Sequence, residues 1–359
     1  MKKQIILFTF LLLTAFTINA TVITVDNNPD GGAQYTDLQA AVDAASPGDT
    51  ILVAGSATSY GNVSFNRQLV LIGAGYNNPY GENTIINNVE LNRLNSSLSA
   101  SGSVIMGFIV RAISLNGPFN GGDETTQSIN DVILNRCKVE YIQFLYGGVT
   151  YSNNIITNCI IVENINIHAY SPSICQISGI QITNNIFNNA YITSGLPTEG
   201  YSTIEIKNNL FINRTSNVFA STIGEVIIKN NIFYAAEPLG PTGATYNNNL
   251  TYMCNDNTIP GEGNVGSGNL INQDPKFENY PLEGAAFSYD YDFHLKTGSP
   301  AIDSGTDGTD LGIYGGSNPF DVGANPPFPI MTEISFPDNQ SSVPVGGTLN
   351  VNFKATKQD

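Results

Sequence analysis

One phrase recurs along this chain. Ile182-Thr183-Asn184-Asn185-Ile186-Phe187 returns as Ile206-Lys207-Asn208-Asn209-Leu210-Phe211 and again as Ile228-Lys229-Asn230-Asn231-Ile232-Phe233. Looser copies extend the series: Leu134-Asn135-Arg136-Cys137, Ile156-Thr157-Asn158-Cys159-Ile160 and Tyr246-Asn247-Asn248-Asn249-Leu250. The second polar position falls at 137, 159, 185, 209, 231 and 249, in steps of 22, 26, 24, 22 and 18 residues. A period in this range, built from short β runs and carrying no helical stripe, describes one coil of a β-solenoid.

The local chemistry agrees with that reading. In Thr203-Ile204-Glu205-Ile206-Lys207 apolar and polar residues alternate, so Ile204 and Ile206 face one way while Glu205 and Lys207 face the other. Asn tolerates the left-handed conformation that a sharp bend between strands requires. Coils stacked about 4.8 Å apart set each Asn over its equivalent, so Asn185, Asn209, Asn231 and Asn249 are expected to bond to one another as an amide ladder. Unequal steps are absorbed by loops at one corner, as at 191–202, 120–128 and 77–83. Nearly all parallel crossovers are right-handed. The expected fold is therefore all-β: a single-stranded right-handed parallel β-helix over residues 21–323, with roughly ten to twelve coils and a length on the order of 50 Å.

Both ends of a solenoid need covers. At the front, residues 36–45 carry Leu38, Ala41, Val42 and Ala45 on one helical face, with Thr36 or Asp37 as N-cap and Ser46-Pro47-Gly48-Asp49 as the stop. At the back, residues 324–359 contain two short strand patterns. They are too few for a domain of their own and are expected to pack on the last rungs as a β tail.

Met1-Lys2-Lys3, the apolar run from Ile5 to Phe16 and Ile18-Asn19-Ala20 have the layout of a secretory signal peptide over residues 1–20. A secreted, periplasmic or cell-surface address is expected, with no transmembrane anchor after its removal, because the run is short for a bilayer and no basic cluster follows. Losing Lys2 and Lys3 would take the net charge from −16 to −18. That charge, with 14 Lys and Arg spread over 359 residues, excludes nucleic acid as a partner. It also repels acidic glycans unless a cation or a local basic patch intervenes. Cys137 and Cys159 share one column of the repeat on adjacent coils, which fits either buried thiols or a disulfide; Cys175 and Cys254 have no evident mate. A monomer is expected.

The run from Gly31 to Gly75, a cap helix followed by "SPGDTILV", "YGNVSF" and "LVLIGAG", resembles the opening of secreted right-handed parallel β-helix proteins of the pectin-lyase-like superfamily. Phe293 to Asp303 and Asp310 to Gly316 resemble their closing segment. The resemblance implies engagement of polysaccharide along the elongated side, in a polysaccharide lyase or a glycoside hydrolase relative. The alternative is a non-catalytic structural or adhesion protein at the cell surface or in the periplasm. The Asn-Thr-Asp, Asp-Asp and Gly-His-Gly motifs of polygalacturonase-like hydrolases do not occur here, nor does the Arg-x-Pro-x-x-Arg segment of pectate-lyase-like enzymes; the histidines are His168 and His294.

Elimination needs a base and a positive charge against the substrate carboxylate. Lys207 and Lys229 occupy equivalent outward positions on successive coils, with Glu205 beside them, and are the catalytic candidates; a solvated charged face is the plainer reading. Asp303, Asp307 and Asp310 lie in a Gly-rich loop, where they would hold Ca²⁺ or simply shape turns. Tyr141, Tyr146, Tyr170, Tyr191 and Tyr201 are candidates for a sugar-stacking platform or for bracing the coil corners. Arg111, Arg136, Arg214 and His168 belong to no pattern visible in the sequence.

Overall fold

A computed structural model of the chain describes residues 20–79, 81–95, 98–116, 127–144, 149–167, 176–194, 204–220, 226–281, 285, 287–323, 330–335 and 351–356. The signal-like segment lies outside the described residues except for Ala20, and among the described residues no helix is long and apolar enough to cross a membrane.

The chain forms a parallel β-solenoid. One face is a ten-stranded sheet running from Val22–Val25 to Thr245–Asn247. The second face is a twelve-stranded sheet whose main path runs from Asn62–Phe65 to Leu250–Tyr252, and Gln127–Ser128, Val149–Ser152 and Gln176–Ser178 make a short third face. Register is set by the repeat: Ile182 pairs with Ile206, and Ile206 with Ile228. Inside the tube like residues stack on like, and the rings of Phe187, Phe211 and Phe233 lie 4.5 and 4.9 Å apart, nearly parallel.

The Asn-Asn corner works by division of labour. The first residue of each pair takes the left-handed bend, with φ of +54° at Asn184, +53° at Asn208 and +58° at Asn230. The second turns inward and builds the ladder. Asn185 donates from Nδ2 to Oδ1 of Asn209 at 3.0 Å, Asn209 to Asn231 at 3.0 Å, and Asn231 to Asn249 at 3.0 Å. Asn269 adds one more step, accepting from Asn249 Nδ2 at 3.1 Å. Each oxygen also accepts the backbone N–H of the preceding ladder residue, and each Nδ2 reaches a strand carbonyl such as Ile182 O or Ile206 O. The side chains of Asn185, Asn209, Asn231 and Asn249 are fully buried, so the multiple bonds are what makes amides tolerable in the core.

Cys137 and Cys159 continue the same column as free, fully buried thiols. Burial pushes the Cys159 thiol well up. Cys254 is likewise free and buried, and burial raises it to about 11. Cys175 lies outside the described residues.

The cap helix spans Leu38–Ala44, and Asp37 is its N-cap, accepting from Ala40 N at 2.7 Å. Leu38, Ala41, Val42 and Ala45 are buried against the first coil.

Two expectations about the C-terminal part need correction. The coils do not run to residue 323: parallel strand pairing ends at Leu250–Tyr252, and single bridges carry it only to Val265 and Leu270. Phe277–Asn279 then pairs antiparallel with Asp292–Leu295, and the chain turns back along the Asn corner as a strap. Asn248 Nδ2 donates to Ser304 O, Asn230 Oδ1 accepts from Thr306 N, and Asn208 Nδ2 donates to Gly312 O. Asn184 holds Ile313 O and Gly315 O, and Asn158 holds Asn318 O and Asp321 N. The side chains that make the bends thus clamp the strap coil by coil. Its far end is fixed by Arg136 to Asp321 at 3.2 Å and by Asn77 N to Gly323 O. The chain therefore reaches residue 323 beside an early coil rather than the last ones. Beyond it, Ile330–Ser335 and Asn352–Thr356 form an antiparallel pair.

Under the strap lies a second core. Ile160, Ile186, Leu210, Ile232 and Leu250 face outward from the tube and are covered by Phe277, Phe293, Ala301, Leu311, Ile313 and Phe320. Burying each Ile or Leu contributes about 1.5–3 kcal/mol.

Candidate functional site

Where the strap stops covering the second sheet, the strand ends present a polar side. In-register pairing places Asn62, Asn88, Ala112, Tyr141, Asn164 and Tyr191 in one outward column. Ser64, Glu90, Ser114, Gln143, Asn166 and Thr193 form the next. The intervening Val89, Ile113, Ile142, Ile165 and Ile192 point into the tube and are fully buried, so alternation alone puts the polar set outside. Five strand spacings separate Asn62 from Tyr191, about 24 Å.

The columns are internally braced. Asn88 Nδ2 donates to Asn62 Oδ1 at 2.9 Å, Arg111 Nη2 to Asn88 Oδ1 at 2.6 Å, and Asn164 Nδ2 to the Tyr191 hydroxyl at 3.1 Å. The Arg214 guanidinium lies over the Tyr191 ring, 4.3 Å from its centroid. An open concavity of about 490 Å³ is lined by Asn88, Glu90, Arg111, Ser114, Asn116, Tyr141 and Gln143. Asn116 Oδ1 and Asn164 Oδ1 are shielded yet accept no hydrogen bond within the protein. Amides in rows and two aromatic rings are equipped to hold a hydroxyl-rich chain.

Tyr141 and Tyr191 share this column, two coils apart. Tyr146, Tyr170 and Tyr201, like His168, lie outside the described residues. Lys207, Lys229 and Glu205 sit on a different face, the first sheet. There Glu205 bridges both ammoniums, at 3.1 Å to Lys207 and 2.7 Å to Lys229. Burial works against the Glu205 charge, but Lys229 and Lys207 outweigh it and hold the carboxyl below its ordinary value. Lys207 also borders a cleft of about 270 Å³ between that sheet and the strap, with Gln181, Thr183, Asp307 and Asn318.

The aspartates of the Gly-rich loop do not converge. Asp310 Oδ1 accepts from Asp303 N at 2.9 Å, and Asp307 Oδ1 accepts from the Thr309 N–H and hydroxyl. Their geometry is that of turn formers. Among the described residues no group of three or more His, Cys, Asp or Glu side chains is placed to hold a metal ion.

Reasoning from sequence misses Asn88, Asn164 and Gln143 as members of one surface. Their separations in the chain are not multiples of the repeat, and only strand pairing reveals the shared side. No protein-family model matches the chain, and no curated protein matches it.

Proposed function

We propose that this chain is an exported member of the pectin-lyase-like superfamily that binds polysaccharide as a monomer along the open side of its second sheet, without cleaving it. The observation that carries this reading is the outward column Tyr141-Asn164-Tyr191, with aromatic rings two coils apart and an amide between them. Two strand spacings are about 10 Å. An extended glycan offers apolar ring faces and hydroxyl edges in alternation, which suits aromatic faces flanked by amides. Against cleavage, each candidate lysine is already in contact with Glu205, and both stand on another face from the platform.

A second reading is favoured by the strap. A stack clamped coil by coil suits a stiff spacer or adhesion surface with no ligand along its side.

Incubating the mature chain with a polysaccharide panel, with and without Ca²⁺, separates these readings when binding, unsaturated products and new reducing ends are scored independently. Binding without product is expected. Tyr141→Ala and Tyr191→Ala are each expected to weaken it about tenfold, equivalent to about 1.4 kcal/mol. Product formation would overturn the non-catalytic reading, and absence of binding across the panel would leave the spacer.

A further inference from the structure

The first sheet has an outward side of its own. Ile51, Leu71, Ile105, Leu134 and Ile156 point into the tube and are buried, so their neighbours along each strand point out. Register stacks Thr50, Val70, Val104, Ile133 and Ile155 in one outward column, and Leu52, Ile72 and Met106 in the next. Further along, the columns turn polar, one at Gln181 and Glu205 and the other at Asn135 and Thr157. The aliphatic positions are half-buried, and they join neither the tube core nor the core under the strap. A parallel sheet is ordinarily covered on both faces, so an aliphatic patch across five strands, about 19 Å, calls for a partner.

The chain carries a matching apolar side. In the ribbon of Ile330–Ser335 and Asn352–Thr356, Phe353 is 69% exposed, and Val351 just before the second strand is 46% exposed. Phe353 pairs with Ile334 and Ala355 with Met331, whereas Asn352 pairs with Ser335 and Lys354 with Glu333. Apolar and polar pairs thus alternate along the ribbon. Two strands alone are marginal in water and need an apolar side packed against something. Strands of six and five residues are about 20 and 17 Å long, the length of the aliphatic patch.

The tether also fits. Gly323 O accepts from Asn77 N at 3.4 Å, and Asn77 follows Ile72 by five residues, which span at most about 17 Å. The link 324–329 contains Pro326, Pro327 and Pro329, and six such residues reach about 19 Å when extended.

We propose that the aliphatic side of the first sheet, centred on Ile72, Val104 and Met106, is the docking surface for the chain's own C-terminal ribbon, seated through Phe353. The exposed Phe353 of the structure is the undocked state. Docked, the ribbon covers the first sheet over the early coils as the strap covers the second sheet over the later ones, and it keeps a flat apolar face from recruiting other chains. The polar side of the second sheet stays open.

The test encodes a benzophenone amino acid in place of Phe353 in the intact chain, irradiates it at low concentration and maps the products by mass spectrometry. Crosslinks are expected to peptides holding residues 70–72 or 104–106 of the same molecule. Met106→Asp puts a charge on the patch and is expected to lower their yield about tenfold, while Thr245→Asp, at the far end of the same sheet, leaves it unchanged. Circular dichroism verifies folding, and Val104→Thr, which keeps the side-chain shape, repeats the test with a several-fold loss if Met106→Asp is unfolded. Crosslinks between two molecules, seen as a dimer band, overturn the proposal and give the face to a second copy. Crosslinks confined to the strap or the second sheet, or none at all, overturn it as well, and so do equal losses in Met106→Asp and Thr245→Asp.

Discussion

In each Asn-Asn pair, two chemically identical side chains meet opposite demands. Asn208 faces out, bends the backbone at φ +53° and holds the strap through a single bond of 3.4 Å to Gly312 O. Asn209 faces in, and its amide is surrounded by Asn185, Asn231, Ile182 O and Lys207 O. Replacing Asn209 with Ala leaves the N–H and Nδ2 of Asn185 without their acceptor in a dry core, at about 1–3 kcal/mol per stranded group and a total on the order of 3 kcal/mol. Asn208→Gly keeps the backbone conformation and loses one long bond, a change of about 1 kcal/mol or less. Urea unfolding of the two variants measures the contrast, and a larger loss at 208 than at 209 would reverse the assignment. The ladder was legible because Asn recurs at one position per coil. Which Asn of the pair turns inward was not, since the sequence writes the same letter twice.

At the scale of elements, the strap is what most separates this molecule from a bare stack of coils. A strand with one wet face alternates apolar and polar residues, yet Ile160-Ile161, Ile186-Phe187, Leu210-Phe211 and Ile232-Phe233 place apolar residues side by side. Such doublets say that both faces of the strand are covered. They do not say by what, because the covering residues Leu311, Ile313 and Phe320 follow Ile232 by some eighty positions and carry no repeat of their own. The same gap explains why the coil seemed to continue to 323. Ile313→Ala is expected to destabilise by about 2–5 kcal/mol. In hydrogen exchange the variant should lose protection in 304–321 while 204–212 stays slow. Equal loss in both segments would mean that strap and coils unfold as one unit.

At the scale of the whole molecule, coil order follows from the repeat, but the functional side follows from register. Tyr141 and Tyr191 are readable as candidates by residue type, whereas Asn88, Asn164 and Gln143 are scattered until unequal loops are subtracted and the strands are set in pairs. The Tyr column and the clamped strap both depend on one claim, that successive coils lie directly on one another in parallel. Val70 and Thr245 are related by a chain of paired positions through Val104, Ile133, Ile155, Gln181, Glu205 and Ile227, seven strand spacings in all. Dipolar spectroscopy between genetically encoded spin labels at 70 and 245 measures that separation without disturbing the native cysteines. A single narrow distribution centred near 34 Å is the predicted result; a centre below about 20 Å, or a spread with no dominant distance, would contradict the stack.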